Sequence, residues 1–307
     1  MKDTFKAVFM RSLRDSLKVS WMLIKVFVPL SIVTVFLKQI GVIDYIAPFF
    51  APVMQVMGLP GETAITLLAA CLNNIFAGLA TMAAFDLTFR EITILGVAIG
   101  IAHNLFVETG ILMKLKMARP RIAVFRVFIA VVAGVVLNQI MPESVSGVVM
   151  NPFAAQEFSW VATLQGLMVT CAQIIVVLFL LTLGYELLTL WKRATFVKDW
   201  LEIFPRMIGL GPGALGPWMV GMFIGISYGA GILYRIAHKL SHKDKCLITV
   251  FLIIAHAVIE DTMLVAVLGG NFWWILVPRV VAAVAVVRLL SIGNVYKRFL
   301  WIGLAKG

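Results

Sequence analysis

Apolar residues fall along this chain in long runs separated by short polar breaks. The runs cover about 20–38, 43–57, 62–82, 91–113 and 122–141, then 163–190, 196–209, 214–234, 246–268 and 272–290. A helix needs about 20 apolar residues to cross ~30 Å of hydrocarbon, and several of these runs reach that length. No stretch long enough for a soluble domain lies between them. The pattern predicts an all-α polytopic membrane protein with one intramembrane domain. Ahead of the first run, Phe5, Val8, Phe9, Leu13 and Leu17 recur at roughly helical spacing among Lys and Arg. This predicts an amphipathic helix over 1–19 lying on the cytoplasmic surface. Ser20 to Leu37 is longer than a signal-peptide core and lacks a small-residue cleavage site, so it reads as a permanent helix.

Composition agrees: 62% of the 307 residues are hydrophobic and 13% charged. The net charge of +11 would suggest nucleic acid in a soluble protein, but here the cations sit between the apolar runs. They therefore orient the chain in its main partner, the lipid bilayer. Lys and Arg number five in 1–19 and four each in 114–121, 190–206 and 235–245, with three more at the C-terminus; 141–162 and 269–272 have none. Both termini are thus expected in the cytoplasm. Cys71, Cys171 and Cys246 form neither a disulfide framework nor a zinc spacing.

Shifted by 153 positions, the chain aligns with itself without a gap from about Pro52 to Arg126. Pro52 meets Pro205, Gly58 meets Gly211, Ala102-His103 meets Ala255-His256, Glu108-Thr109 meets Asp261-Thr262, and Arg126 meets Arg279. Two of the chain's four histidines fall in register, which leucine abundance cannot produce. The basic loops place both flanks of 62–82 outside and both flanks of 214–234 inside. Each segment then enters and leaves by one face, as a re-entrant hairpin broken near Cys71-Leu72-Asn73-Asn74 or near Gly225-Ile226-Ser227-Tyr228-Gly229. Three crossings per half make the repeats inverted in topology, the architecture of secondary transporters with a midplane site. Read instead as additional crossings, 43–57 and 196–209 would make the interrupted segments plain spans.

The stretch APVMQVMGLPGETAITLLAACLNNIFAGLA and its second copy FPRMIGLGPGALGPWMVGMFIGISYGAG resemble the Gate, or nucleoside-recognition, family. That family includes the Gate regions of ferrous iron transporter B and spore maturation proteins A and B. The resemblance implies a first Gate repeat over 20–142, an extracytoplasmic linker over 143–162, a second repeat over 163–291 and a cytoplasmic tail over 292–307, in a bacterial cytoplasmic (inner) membrane. Cys71 and Asn73 sit where the iron transporter's first Gate has a Gly-Cys-Asn-Val-Pro-like signature, but the Gly and Pro are missing. No GxxxxGK[ST] is present, so there is no P-loop GTPase.

An ionisable side chain at bilayer depth costs at least ~2.5–3.5 kcal/mol and marks a functional candidate. Here these are His103, Glu108, His256, Glu260, Asp261, Arg126 and Arg279. On an ideal helix His256 and Glu260, four apart, share a face; His103 and Glu108, five apart, meet only if the helix unwinds locally. Thr109 and Thr262 offer hydroxyls to a solute or to their own i−4 carbonyls. Asn73, Asn74 and Ser227, at the hairpin tips, can bond a solute or the broken backbone. The arginines can bind substrate or simply neutralise the acids. The expected function is secondary transport of a small polar or ionic solute. If that solute is a metal such as Fe(II), His103, Glu108, His256, Glu260 and Asp261 are its candidate ligands; two arginines suit an anionic or zwitterionic solute better. A non-transporting membrane scaffold or regulator is the alternative, and a homo-oligomer stays open. HExxH does not occur, and the GxSxG spacing occurs only at the presumed hairpin break Gly225-Ile226-Ser227-Tyr228-Gly229, not in the strand-to-helix elbow that motif needs, so no enzyme and no cofactor are expected.

Overall fold

The computed structural model describes residues 5–143, 159–190, 207–292 and 296. Most of the linker over 143–162, most of the amphipathic stretch over 196–209 and nearly all of the tail over 292–307 lie outside them. The described chain is helical: α1 (Phe5–Gln39), α2 (Val42–Val56), α3 (Thr63–Leu72), α4 (Ile75–Met82), α5 (Phe89–Ala102), α6 (Leu105–Lys114), α7 (Arg121–Ile140) and α8 (Trp160–Leu190). Then come α9 (Leu215–Ile224), α10 (Ile226–Ala237), α11 (His242–Ala255), α12 (Val258–Val267) and α13 (Phe272–Ser291).

Among the described residues six helical segments are long and apolar enough to cross a membrane: α1, the pair α5–α6, α7, α8, the pair α11–α12, and α13. The molecule is a polytopic membrane protein. At ~1.5 Å per residue, the 15 residues of α2 span only about 22 Å. In the two central paired segments 72% of the most apolar window is buried, against 28–33% in the outer four, so the pairs form the core and the single helices wrap it.

Helix starts follow local chemistry. Thr88 and Glu91 form a reciprocal capping box at the head of α5. At the head of α11, 153 residues on, Ser241 caps the Asp244 N–H, and Asp244 also accepts from the Gly211 N–H at 2.8 Å. The bounds of α5 and α6, moved by 153, are those of α11 and α12.

Segment 62–82 is a hairpin: α3 and α4 pack together, and the chain breaks at Asn73-Asn74 as expected. Asn74 itself caps α4 by accepting from the Ala77 N–H at 3.0 Å. The second hairpin is α9–α10. Its first limb ends in a wide i→i−5 turn, with the Gly225 N–H bonded to the Val220 carbonyl, and reverses at Gly225, whose φ of 90° favours glycine.

The N-terminus departs from expectation. The amphipathic helix foreseen over 1–19 is, from Phe5 on, the first part of the same 35-residue helix as the first span. Phe5, Phe9 and Leu17 are exposed, whereas Val8, Ser12, Ser16, Ser20, Leu23 and Phe27 form the buried stripe, on the helix that packs against α8 and α4. Small hydroxyl residues let helix backbones approach closely in a membrane, and Ser12, Ser16 and Ser20 lie on this packing face, while Phe9 meets Phe179 of α8 edge-on at its border.

Close approach also decides the centre. A Cβ added to Gly96 on α5 would stand 2.4 Å from Val265 Cγ1 on α12. Gly96→Ala should therefore cost about 1–3 kcal/mol through overpacking, read as a lower Tm in detergent. Adding Val265→Ala should restore most of that loss; a single variant as stable as wild type would contradict this contact.

Candidate functional site

Both central pairs break at a histidine. His103 and His256 end α5 and α11 in extended conformation (ψ 159° and 157°), and the following Asn104 and Ala257 are left-handed, with φ of 50° and 42°. A helix end leaves its last carbonyls and the next helix's first N–H groups without partners, and lipid supplies none. Part of that demand is met by the hairpins. The Asn104 N–H bonds the Ala70 carbonyl of α3 at 2.9 Å, and the Ala257 N–H bonds the Gly221 carbonyl of α9 at 3.1 Å.

The arginines meet the carbonyl demand. Arg126 Nε donates to the Ile101 carbonyl at 3.0 Å, and its Nη2 to the His103 carbonyl at 3.0 Å and to Glu108 Oε2 at 2.8 Å. Arg279 repeats this 153 residues on: Nε to the Ile254 carbonyl at 3.2 Å, and Nη2 to the His256 carbonyl and Asp261 Oδ2, both at 3.1 Å. Arg279 Nη2 also reaches the Gly100 carbonyl in the other half at 2.7 Å. Each guanidinium thus closes a helix C-terminus, where positive charge is favoured, and pairs with an acid in the first turn of the next helix, where negative charge is favoured. Nη1 of both arginines is buried without a partner.

The histidines meet across the halves. His103 Nδ1 faces the Ile99 carbonyl at 3.1 Å, and His256 Nδ1 faces the Leu252 carbonyl at 2.7 Å. A carbonyl only accepts, so Nδ1 carries the hydrogen in each ring. The two Nε2 atoms then face each other at 3.4 Å. Glu108 stands beside them, with Oε2 3.2 Å from His256 Nε2 and Oε1 3.9 Å from His103 Nε2. Asp261 completes the group, its carboxylate within 4.8 Å of both imidazoles. These four residues, with Arg126 and Arg279, are each at most 5% exposed.

The structure therefore gathers His103, Glu108, Arg126, His256, Asp261 and Arg279 into one cluster, with Ser227 donating to Glu108 Oε1 at 3.2 Å. Thr262 bonds its own i−4 carbonyl at Val258, while the Thr109 hydroxyl is buried without a partner. Three expected site residues stand apart. Glu260 is half-buried on α12 and joins none of these bonds: the i, i+4 relation to His256 presumed an unbroken helix, and the break turns Asp261 inward instead. Asn74 serves the backbone as the α4 cap and donates to Asn73 Oδ1 at 3.1 Å, and Asn73 is exposed. Asn104, which sequence reasoning passed over, donates to Ser227 Oγ at 2.8 Å and so ties the second hairpin to the first half. Asn tolerates a left-handed backbone better than most residues, which is the one signal that marked it.

This arrangement, paired broken helices enclosing a buried ionisable cluster among six segments long and apolar enough to span, is that of a polytopic membrane protein with a polar centre. Comparison with known proteins makes the class more specific. Residues 20–115 match the model of the Gate family, described as nucleoside recognition. Over 309 aligned residues the chain is 28% identical to Uncharacterized membrane protein YvoD of Bacillus subtilis (strain 168), covering 96% of each chain. No solved structure matches it.

Removing one member of a buried ion pair costs about 3–5 kcal/mol, whereas removing both costs less. Arg279→Met should lower unfolding stability in mixed micelles by about that amount. Arg279→Met with Asp261→Leu should recover part but not all, because the Ile254, His256 and Gly100 carbonyls stay orphaned. Full recovery would show that the guanidinium serves the acid alone.

Proposed function

We propose that this protein is a secondary transporter that moves a small polar or ionic solute by alternating access between two inverted repeats. The observation that carries this reading is the meeting of His103 with His256, beside Glu108 and Asp261, where two helices break at equivalent positions. Broken helices facing each other near mid-membrane supply the uncovered dipoles and side chains with which such proteins hold a solute. In this reading each half crosses three times, the repeats point in opposite directions, and both termini are in the cytoplasm at a bacterial inner membrane, which the distribution of basic loops supports. The hairpins α3–α4 and α9–α10 are then re-entrant gates. Their tips differ in a way that fits one of two alternating states. Ser227 of the second hairpin reaches Glu108, whereas Asn74, 153 residues earlier, bonds only its own hairpin. The solute is carried, not chemically turned over.

A second reading, a non-transporting scaffold, draws on the burial of the cluster: His256 and Arg126 are 0% exposed and the acids are paired. Flux separates the two. In proteoliposomes offered a panel of divalent cations and small organic anions, one solute should accumulate, and Glu108→Gln or Asp261→Asn should slow its entry at least ~10-fold while the chain still elutes as a monodisperse species. No flux from the panel, with loss of stability as the only effect of Glu108→Gln, would establish the scaffold instead. Inversion has its own check. An impermeant maleimide should label Asp86→Cys from outside the cell and Lys239→Cys only after permeabilisation, although the two positions are repeat equivalents; labelling from one side would remove the inverted topology.

A further inference from the structure

At its centre the cluster holds more acceptors than donors. With each Nδ1 hydrogen committed to a carbonyl, a ring that carries no second hydrogen turns a bare Nε2 lone pair toward the other ring's Nε2 at 3.4 Å. Glu108 Oε2, another acceptor, lies 3.2 Å from His256 Nε2, and an Asp261 oxygen lies within 4.8 Å of both rings. Electron pairs converging in a buried space repel one another unless a positive ion sits among them.

We propose that the cluster is a binding site for one divalent first-row transition-metal ion, held by His103 Nε2, His256 Nε2 and the carboxylates of Asp261 and Glu108, and that this ion is the solute. The identification of the ion as solute rests on the transporter reading above; the binding site stands on its own. Three features carry it. In a tetrahedral site with metal–nitrogen bonds of about 2.0–2.1 Å, ligand atoms stand roughly 3.3–3.4 Å apart, and the pairs at 3.4 and 3.2 Å already have that spacing. Metal-bound histidines almost always donate their other ring N–H to a carbonyl or carboxylate, which fixes the ring and its tautomer. Both rings here do so, through equivalent residues of the two halves. Two imidazoles with two carboxylates also define the class: this donor set suits Mn(II), Fe(II), Co(II), Ni(II) and Zn(II), whereas Mg(II) and Ca(II) take oxygen ligands.

The arginines do not turn the site into an anion site. Every polar contact they make goes to a helix-end carbonyl or to the resident acid, and a Cβ at Gly100 would stand 2.6 Å from Arg279 Nη1, so that atom is directed at the α5 backbone.

The test uses Co(II) alone, whose visible spectrum reports its ligands. The other two histidines, His238 and His242, lie outside the cluster and are exposed. The full chain carrying His238→Gln and His242→Gln should take up one Co(II) per molecule, with two imidazoles counted at the cobalt by X-ray absorption and no displacement by a large excess of Mg(II). Adding His256→Gln should weaken binding more than ~100-fold, beyond what loss of an outer partner causes. If that variant fails to fold, the imidazole count on the parent still decides the matter. No stoichiometric uptake, or cobalt bound without imidazole, overturns the metal site. Glu108-dependent flux of some other solute would then leave the transporter reading intact, and Co(II) bound without flux would do the reverse.

Discussion

The structure depends on two guanidinium groups that close two broken helices inside the membrane. A break in a spanning helix exposes carbonyls that lipid cannot bond, at a cost of several kcal/mol for each group left alone. Arg126 and Arg279 each bridge two carbonyls and a carboxylate. Lysine cannot replace them there, because its compact ammonium lacks the planar fork whose Nε and Nη2 reach separate acceptors in fixed directions. Once the carbonyls are closed in this way, the helix can afford to stop at the histidine, and the first turn of the next helix can present its acid to the same guanidinium.

From that closure follow the positions of the remaining parts. The break lets His103 and Glu108, five residues apart, approach each other, and the Asn104 N–H finds its acceptor on the neighbouring hairpin. Hairpin and break are thus coupled by backbone bonds within each half, through Ala70 in one and Gly221 in the other. A shift of either hairpin must disturb the break beside it. The Ser227 contacts to Glu108 and Asn104 add hydrogen bonds between halves that the tip of the first hairpin does not make among the described residues, so the two hairpins stand in different relations to one shared centre.

Much of this was legible in the sequence because matched polar residues are rare in an apolar chain. His103 with His256, Glu108 with Asp261 and Arg126 with Arg279 fall in register in the sequence itself, and the six segments long and apolar enough to span coincide with six of its ten apolar runs. What escaped reading was geometry that depends on tertiary contact. Glu260 looked like a partner for His256 because helical spacing presumes continuity, and continuity ends at Ala257, an alanine with a left-handed backbone that nothing local announces. The N-terminal helix was misjudged for a related reason. Its aromatics suggest a surface face, but the serine stripe against α8 becomes visible as packing only when the partner helix is in place. Asn74 and Ser227 occupy equivalent tips, and no sequence rule separates the one that caps its own helix from the one that crosses to the other half.

Charge balance explains why the histidines, and not the acids, are the variable element. Glu108 is paired with Arg126 and Asp261 with Arg279, so the fixed charges cancel in pairs before any solute arrives. In a medium of low dielectric an uncompensated charge is expensive, and the two resident pairs limit that expense at the acids and the arginines. The imidazoles differ: their outer hydrogens are held by backbone carbonyls, and their Nε2 atoms face each other at 3.4 Å beside Glu108. A site built this way changes its net charge only when an ion enters or leaves, and neither empty nor filled does it carry an unpaired acid. That property suits reversible binding at bilayer depth, because the attraction for the ion is supplied by a few short-range donors and not by a standing negative charge that would hold it too tightly to be released.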